Sequence, residues 1–515
     1  MYMKQHRMTL ALLLTIALMA CGGGDDATAA NGEGGNGGSN PPGTLPTHQK
    51  SRSLAFPGAD GAGKNTRGGA EEEVYIVTNT NDSGLGSLRM GLQGNHRTIV
   101  FAIGGQINLK SPLAINQPNI TIAGQTAPGD GITIAGYPVS FGSKASNLVI
   151  RFLRFRMGDQ NSGNANFDAD DGDAFGGKDA NNIIIDHCSI SYSSDECASF
   201  SRVKNFTLQY CIISESMKNG GHTKKAHGYG GIWGGANATY HHNLLAHHDS
   251  RNPRFDHSYV GHSYRGPIDY VNNVVYNWGS NSTYGGETDS ESNVFHINFV
   301  GNYYKAGPNT NSKAADRLMQ LTTHCTNCVA ETGNAYPANI FLEGNLVNGS
   351  AASWDNITMD GSETRDKTAL KTNARLSEQY TTGLIPLSYR ETAANAYNSV
   401  LQYAGASKER DGVDKRIIDD VKNTTGAIID KVSDNMEKYY PTLAPGTPIT
   451  DTDNDGMPDS WEKEQIKALG VSNVSIEAFL PTAYNLSARY TNLEVYMNEL
   501  VSKMFPEGAG ADITR

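Results

Sequence analysis

The chain has 515 residues, of which 38% are hydrophobic and 18% charged. This balance excludes an intrinsically disordered protein and leaves room for one to three domains with a sizeable core. Aspartate and glutamate outnumber lysine and arginine by 53 to 42, a net charge of −11. That charge argues against a general binder of nucleic acid, so an anionic substrate would need local arginine, lysine or a metal ion.

The first 20 residues have the pattern of an export signal. Lys4 and Arg7 precede an apolar run from Met8 to Ala20, which is too short for a stable membrane span. The residues Leu18-Met19-Ala20-Cys21-Gly22 resemble the lipobox of bacterial lipoproteins, which implies acylation of Cys21. An ordinary secretory signal with a chance cysteine is the alternative.

Residues 21–52 are rich in glycine, asparagine, serine and proline, which predicts a flexible tether without a core. We therefore expect an extracytoplasmic protein, either an outer-membrane lipoprotein or a secreted one. Contact with a membrane would be made only through the N-terminal lipid.

The body of the chain reads as a series of short strands rich in β-branched and aromatic residues, bounded by glycine, serine, aspartate and asparagine. The predicted strands are Thr98–Ile103, Asn119–Ala123, Asn147–Phe155, Asn182–Ser191, Asn205–Ser214, Thr239–Ala246, Tyr270–Trp278, Ile297–Tyr304 and Asn339–Val347. Their spacing of roughly 20 to 40 residues, without amphipathic helices between them, indicates a solenoid of stacked β-coils. A β-sandwich is the alternative, but it predicts a tighter and more regular spacing.

The cysteines give two local predictions. Cys188 and Cys211 occupy similar places in successive apolar segments, so we expect them to stack inside the solenoid. The pair Cys325 and Cys328 has the spacing of a redox or zinc motif, but no second pair accompanies it. A local loop disulfide or two free thiols is the preferred interpretation.

After about residue 365 the pattern changes. Glu391–Tyr403 and Asp411–Val421 look helical, and so does Asn492–Met504 near the C-terminus. We therefore divide the chain into a β-solenoid over residues 53–365, a partly helical extension over 366–445 and a C-terminal module over 446–515.

The C-terminal module carries a calcium motif. The twelve residues from Asp451 to Glu462 place oxygen ligands at positions 1, 3, 5, 9 and 12 and a glycine at position 6. The predicted ligands are Asp451, Asp453, Asp455, Asp459 and Glu462. The spacing fits an EF-hand-type loop and resembles the loops of dockerins and thrombospondin type-3 repeats. Because only one such loop is present, a structural role is favoured over a signalling switch.

Several segments of the solenoid resemble one family, the pectate lyases of polysaccharide lyase family 1. They are Ala55-Phe56-Pro57-Gly58-Ala59, the stretch from Val77 to Arg89, Asp171-Gly172-Asp173-Ala174, Ile185-Asp186-His187 and Arg251-Asn252-Pro253-Arg254. The resemblance covers about residues 53 to 350. It implies an all-β fold, a right-handed parallel β-helix, here with a small helical C-terminal extension. It also implies a monomeric enzyme that cleaves de-esterified homogalacturonan (polygalacturonate) by Ca²⁺-dependent β-elimination, giving 4,5-unsaturated oligogalacturonides.

The resemblance also implies site residues. Asp171, Asp173 and Asp195 match the calcium ligands, and Ser199 stands where the family often has a further acidic residue, a place that Glu196 would have to fill. Calcium suits this chemistry because a cation on the uronate carboxylate stabilises the charge that develops when the proton at C5 is removed.

Arg251 matches the proposed general base, although an arginine is chemically a more ordinary carboxylate binder. Lys224 is the predicted substrate-binding lysine, and Arg254 is either a substrate clamp or an ion-pair partner. The histidines near Lys224 and the pair His241-His242 are interpreted as structural rather than as metal ligands.

Three other functions remain open. A pectin lyase or a polygalacturonase would use the same fold, although paired carboxylates rather than Arg251 would be expected for hydrolysis. A non-catalytic, glycan-binding surface lipoprotein is the third, because the fold alone does not decide function.

Overall fold

The computed structural model describes residues 43–52, 54–256, 262–323, 335–360 and 363–511. The predicted signal peptide, Cys21, most of the predicted tether and the Cys325–Cys328 pair lie outside these ranges. Among the described residues, no helix has both the length and the apolar character that a membrane crossing requires.

Strands dominate the described chain, and most are three to six residues long. In chain order they are β1 Glu73–Val77, β2 Arg97–Phe101, β3 Gly105–Asn108, β4 Leu113–Ile115, β5 Ile120–Ala123, β6 Ile132–Ala135, β7 Val139–Phe141, β8 Leu148–Arg151, β9 Leu153–Arg156, β10 Phe175–Lys178, β11 Asn181–Asp186, β12 Ser189–Ser191, β13 Ala198–Ser201, β14 Lys204–Gln209, β15 Ile212–Ser214, β16 Ile232–Trp233, β17 Ala236–His241, β18 Leu244–Ala246, β19 Arg254–Phe255, β20 Ile268–Val271, β21 Val274–Tyr276, β22 Thr283–Gly285, β23 His296–Val300, β24 Tyr303–Lys305, β25 Met319–Leu321, β26 Asn339–Glu343, β27 Leu346–Val347, β28 Ser350–Ala351 and β29 Ile357–Met359.

Helices are few and lie mostly after the strands. The α-helices are α1 Leu88–Gly91, α2 Lys367–Asn373, α3 Ala393–Tyr403, α4 Gly412–Asn423, α5 Met436–Tyr439, α6 Asp459–Ala468 and α7 Asn492–Glu499. The helices predicted over Glu391–Tyr403 and Asp411–Val421 are thus confirmed as α3 and α4. The third predicted helix is shorter than expected, since α7 ends at Glu499.

The strands form three sheets of ten, ten and nine strands, and successive coils of the chain add one strand to each. The first sheet runs from β1 to β26 through β11, β14 and β17. The second, from β3 to β28, contains β12, β15 and β18, and the third, from β4 to β29, contains β10, β13, β16 and β19. Among these strands all pairings are parallel except that of β27 with β28. The chain is therefore a parallel β-helix, as predicted.

Seven predicted strands are each two strands separated by a bend. Asn182–Ser191, for example, divides into β11 and β12 at His187, whose φ of 51° lies in the left-handed region, and Asn205–Ser214 divides at Tyr210, with φ 49°. The bend turns the chain from the first sheet into the second without interrupting the apolar pattern. The sequence pattern therefore predicts one continuous strand where the structure has two strands joined by a bend.

Stacked side chains fill the inside of the β-helix. At the bends between the first and second sheets, polar side chains form a ladder of hydrogen bonds from coil to coil. Cys188 and Cys211 are both fully buried and adjacent, with the Cys188 N–H 3.4 Å from Cys211 Sγ, which confirms their predicted stacking. In the following coils the same place is taken by buried asparagines, whose side-chain amides bond one to the next: Asn243, Asn273, Asn302 and Asn345. This ladder satisfies the backbone groups that the bends expose.

The two C-terminal segments pack against the β-helix. Helices α3 and α4 bury Val400 and Ile417 against residues of the second sheet such as Leu244. The C-terminal module buries Met457 and Leu493 against the β-helix near Val100.

Backbone hydrogen bonds join the end of the predicted tether to the C-terminal module. The His48 and Ser51 N–H groups donate to the Tyr484 and Ala488 carbonyls, at 3.0 and 2.8 Å. The end of the predicted tether therefore contacts the C-terminal module, a contact that the sequence did not reveal.

Candidate active site

The predicted site residues lie in equivalent loops of successive coils, where the chain passes from the second sheet to the third. Asp171 and Asp173 precede β10, Asp195 and Glu196 precede β13, Lys224 precedes β16, and Arg251 precedes β19. Since parallel strands lie about 4.8 Å apart, loops at the same place in successive coils are neighbours. Residues separated by 20 to 30 positions in the chain therefore meet at one edge of the third sheet.

Gly172 allows the loop before β10 and the loop before β13 to approach each other closely. The Ser194 and Asp195 N–H groups donate to the Gly172 carbonyl at 3.1 and 3.3 Å. A Cβ atom at this position would lie 1.9 Å from Ser194 Oγ, so only glycine fits without rearrangement. This contact sets Asp173 beside the loop that carries Asp195.

Three carboxylates converge there. Oxygens of Asp173, Asp195 and Glu196 lie within 4.8 Å of one another, and the Glu196 N–H donates to Asp173 Oδ1 at 3.2 Å. Burial and the neighbouring carboxylates of Asp195 and Asp171 raise the pKa of Asp173 well above its usual range. A cation bound among the three carboxylates would relieve their mutual repulsion, so such a cluster favours cation binding.

The donor set suits calcium. Hard divalent cations prefer several carboxylate oxygens, and the cluster offers Asp195 Oδ1 and Glu196 Oε1, two buried oxygens whose neighbours are His227 and Arg251. Of the predicted ligands, Asp173 and Asp195 belong to this cluster. Asp171 is exposed and lines the adjacent cleft instead, and Glu196 supplies the third carboxylate.

Arg251 points into the carboxylate cluster. Its Nη1 forms an ion pair with Glu196 and lies 3.8 Å from Asp195 Oδ1, and the guanidinium covers the Tyr229 ring at 4.3 Å from the centroid. The backbone of Arg251 has φ 56°, a left-handed conformation that is strained for an arginine. Gly230 makes room for it, since a Cβ there would lie 2.4 Å from the Arg251 carbonyl oxygen.

A cleft of about 460 Å³ runs beside the cluster over the outer face of the third sheet. The register places Ser140, Gly176, Ser199 and Ile232 in one outward column along the floor. The same column continues beyond the cleft through Arg254 and Tyr284. Small side chains at Ser140 and Gly176 leave the floor open. Lys178, a cleft residue that sequence reasoning did not single out, adds a positive charge.

The two predicted substrate-binding residues have different surroundings. Arg254 lies on the outward column but forms an ion pair with the buried Glu287, and its guanidinium lies 5.5 Å from the centroid of Tyr284. Although burial opposes its charge, Glu287 raises the pKa of Arg254. Lys224 is exposed in the loop before β16.

Two pairs of histidines lie near this site, and their surroundings differ. His241 and His242 are buried among Asp60, Asp186 and Glu391, and burial together with His242 lowers the pKa of His241 to about 3. Their side-chain partners are Gln209 for His241 and Glu391 for His242, so the structural role stays a prediction. His222 and His227, however, face Asp195, an arrangement that the sequence did not predict.

The C-terminal loop forms a second acidic cluster. Oxygens of Asp451, Asp453 and Asp455 lie within 4.8 Å of one another, and both oxygens of the fully buried Glu462 have no hydrogen-bond donor among the described residues. Burial and nearby carboxylates raise the pKa of Asp455 to about 7 and that of Glu462 to about 8.

Asp459 stands apart from this cluster. Its carboxylate accepts hydrogen bonds from the Thr452 N–H at 2.7 Å and the Thr452 hydroxyl at 2.8 Å. Helix α6 follows the loop, but residues 440–458 before it contain no helix, so the loop lacks the preceding helix of a complete EF-hand.

Fold and site together define a class, a parallel β-helix with a carboxylate cluster and an arginine at the edge of a long cleft. No protein-family model matches the chain. Among curated proteins, probable pectate lyase C of Neosartorya fischeri is 35% identical over 459 residues, covering 88% of this chain and 95% of that protein. Probable pectate lyase C of Aspergillus flavus is 35% identical over 469 residues, covering 89% and 96%. The chain belongs to the pectate lyase family and is a lyase.

Solved structures were compared as well. The cedar pollen allergen jun a 1 aligns with a TM-score of 0.45 at 18% identity, covering 68% of this chain and 92% of that one. A pectate lyase of Bacillus sp. N165 in complex with trigalacturonate aligns with a TM-score of 0.40 at 15% identity, covering 67% and 98%.

Proposed function

We propose that the protein is a Ca²⁺-dependent pectate lyase that cleaves polygalacturonate by β-elimination and releases 4,5-unsaturated oligogalacturonides. The observation that carries this proposal is the meeting of Arg251 with Asp173, Asp195 and Glu196 beside the cleft. A polyanionic substrate needs cations, and this net-acidic protein supplies a place for one where its loops converge.

Asp173, Asp195 and Glu196 would hold the calcium ion, and Asp171 lies close enough to the cleft to face a substrate bound there. Bound calcium would neutralise the uronate carboxylate and stabilise the charge that develops at C5. Without a cation, Arg251 neutralises part of the same cluster through Glu196.

Arg251 would accept the proton from C5, while the glycosidic bond between C4 and its oxygen breaks and the leaving oxygen takes a proton from water. To do so its guanidinium has to part from Glu196 and lose a proton, so the rate should rise toward alkaline pH. Stacking on Tyr229 and the strained backbone hold the side chain over the cluster while that exchange takes place. Lys224 and Arg254 would bind other uronate carboxylates along the cleft, Arg254 from the outward column and Lys224 from its exposed loop.

The loop from Asp451 to Glu462 would hold a second, structural calcium ion, ligated by Asp451, Asp453, Asp455 and Glu462. Its support is the set of buried oxygens without donors. Asp459, already bonded to Thr452, would contribute only indirectly, in the way that position 9 of such loops often acts through water.

A hydrolase and a non-catalytic glycan binder are the competing functions. A polygalacturonase would need paired carboxylates flanking the scissile bond, whereas here an arginine lies among the carboxylates. The test is to incubate the full chain with polygalacturonate and with methylated pectin, following reducing ends and ultraviolet absorbance together. Elimination predicts both signals on polygalacturonate and their loss in chelator. Reducing ends without absorbance would show hydrolysis, activity on methylated pectin in chelator would show a pectin lyase, and neither signal would show a binding protein.

We further propose export from the cytoplasm and acylation at Cys21, as the Leu18–Gly22 motif indicates. Cys21→Ser should abolish labelling by a radioactive fatty acid in a bacterial host. Labelling that persists in this variant would contradict the lipid anchor.

A further inference from the structure

A second group of ligand-type side chains lies against the carboxylate cluster. One oxygen of Asp195 and one nitrogen each of His222 and His227 lie within 4.8 Å of one another. His227 Nε2 is 2.8 Å from Asp195 Oδ1, and His222 Nε2 is 3.9 Å from Asp195 Oδ2. The two imidazole rings are stacked, with centroids 3.8 Å apart.

The loop between β15 and β16 is shaped to bring the histidines together. The Lys225 N–H donates to the His222 carbonyl at 2.9 Å, closing a tight turn in which Lys225 has φ 68°. The His227 N–H then donates to the Lys218 carbonyl at 2.7 Å, which fixes the end of the turn. Both rings are consequently directed inward, toward Asp195.

Both imidazoles are withdrawn from solvent. The side chain of His222 is 2% exposed and that of His227 is 7% exposed. His222 Nε2 is buried and has no hydrogen-bond partner among the described residues. A buried nitrogen without a partner is costly unless a further group satisfies it.

An outer carboxylate faces the other nitrogen of His222. Asp170 Oδ1 lies 3.3 Å from His222 Nδ1, and Asp170 is itself held by the N–H and the hydroxyl of Thr223. The Lys224 N–H donates to Nδ1 at 3.0 Å, so Nδ1 is the accepting nitrogen in this structure. A metal ion at Nε2 would require the other tautomer, in which Nδ1 carries the proton and donates it to Asp170. This carboxylate–histidine arrangement is the usual support of a metal-ligating imidazole.

We propose that His222, His227 and Asp195 form a binding site for a transition-metal ion of the Zn²⁺ type, beside the calcium site and sharing Asp195 with it. Two imidazole nitrogens and one carboxylate oxygen suit zinc or cobalt, whereas the oxygen-only set of Asp173, Asp195 and Glu196 suits calcium. Three protein ligands leave a coordination position open. The ion would tie the loop that carries Lys224 to the loop that carries Asp195.

The test is a metal-binding measurement on the full chain, produced without a polyhistidine tag and stripped with chelator. Excess Ca²⁺ fills the oxygen-only sites, and Zn²⁺ is then measured by equilibrium dialysis. The wild type should bind one Zn²⁺ at these residues, and His222→Ala and His227→Ala should each weaken that binding by at least about tenfold. The matched control is His96→Ala, since His96 is an exposed histidine 3.5 Å from Glu72 and should leave binding unchanged.

X-ray absorption spectroscopy at the zinc edge, measured on the wild type, gives a second result that does not depend on whether the variants fold. It should show two imidazole neighbours. Failure to bind Zn²⁺ in excess Ca²⁺, equal binding by the His222→Ala and His227→Ala variants, or a shell of oxygen alone would overturn the proposal. Because no substrate is present, the result is independent of whether the chain proves to be a pectate lyase.

Discussion

At the scale of single residues, the structure separates carboxylates that the sequence groups together. The predicted calcium ligands Asp171 and Asp173 are two positions apart, but only Asp173 joins the cluster with Asp195 and Glu196. Glu196, which the sequence offered only as a substitute, is directed at the same point and pairs with Arg251. The carboxylate cluster that we propose as a calcium site thus contains Glu196 rather than Asp171 beside Asp173 and Asp195.

This difference gives the first prediction. Asp173→Asn should raise the Ca²⁺ concentration needed for half-maximal lyase activity by at least about tenfold, because it removes a charged ligand from a cluster of three. Asp171→Asn, the matched control at the exposed position, should change it by less than about threefold. The measurement is lyase rate against free Ca²⁺. Equal effects of the two substitutions would show that both aspartates are ligands.

Several residues of the candidate site could be predicted from the sequence, because they belong to short motifs. Arg251 and Asp195 were identified from such motifs, and the structure brings them together. His222 and His227 were noticed but assigned a structural role, because nothing in the sequence shows that their loop folds back onto Asp195. Glu287 was missed for the same reason, since its ion pair with Arg254 joins neighbouring coils.

At the scale of elements, the bends between the first and second sheets explain why strand ends were predicted wrongly. Most strands of the first and second sheets were predicted, but seven pairs of them as single segments, because a left-handed residue such as His187 bends the chain without breaking its apolar pattern. The strands β1, β3, β6 and β28 and all strands of the third sheet were not predicted. The third-sheet strands are short, and those on the cleft floor, such as β10 and β13, contain glycine or serine.

The C-terminal loop gives the second prediction. Asp455→Ala should abolish most of the rise in melting temperature that Ca²⁺ gives the wild type, since a ligand at 100 times its dissociation constant contributes about 2.7 kcal/mol. Its kcat at moderate temperature should be nearly unchanged. The exposed Asp419→Ala is the control and should keep the full rise. Loss of catalysis without loss of the calcium-dependent rise would mean that the loop serves the active site instead.

The same loop gives a pH prediction in chelator. Burial raises the folded pKa of Asp455 to about 7 and that of Glu462 to about 8, above the values near 4 expected for the unfolded chain. The folded state then holds more protons between pH 4 and pH 8, so stability falls as pH rises through this window.

The melting temperature of the calcium-free protein should therefore decrease from pH 5 to pH 8, and Glu462→Gln should flatten the decrease. Thermal melts in chelator at several pH values are the measurement. A wild-type melting temperature that rises over this range, or a Glu462→Gln profile as steep as the wild type's, would contradict the assignment.

At the scale of the whole molecule, the helical extension is fastened to the β-helix by buried charges. Arg156 lies 2.9 Å from Asp414 and 3.1 Å from Asp411, and all three side chains are almost fully buried. Arg154 lies 3.8 Å from Asp414. Although burial disfavours its charge, the two aspartates raise the pKa of Arg156. The extension was predicted as helical, but its attachment could not be, since more than 250 residues separate the partners.

This attachment gives the fourth prediction. Asp414→Ala should destabilise the protein by about 3 to 5 kcal/mol, because it leaves buried arginines partly uncompensated. Glu409→Ala, which touches only the exposed ion pair with Lys415, should cost less than about 0.5 kcal/mol. Urea unfolding of both variants is the measurement. A small effect of Asp414→Ala would indicate that apolar packing alone holds the extension.

The central claim is that Arg251 takes a proton from polygalacturonate at a calcium-loaded carboxylate cluster. The measurement that tests it most directly is the rate of unsaturated product formation from polygalacturonate in saturating Ca²⁺, across pH, for the wild type, Arg251→Lys and the exposed control Arg67→Lys. We expect a rate that rises toward alkaline pH in the wild type and the control, and at least a hundredfold loss in Arg251→Lys, in line with general-base catalysis. A folded Arg251→Lys variant with a near-wild-type rate at every pH would contradict it.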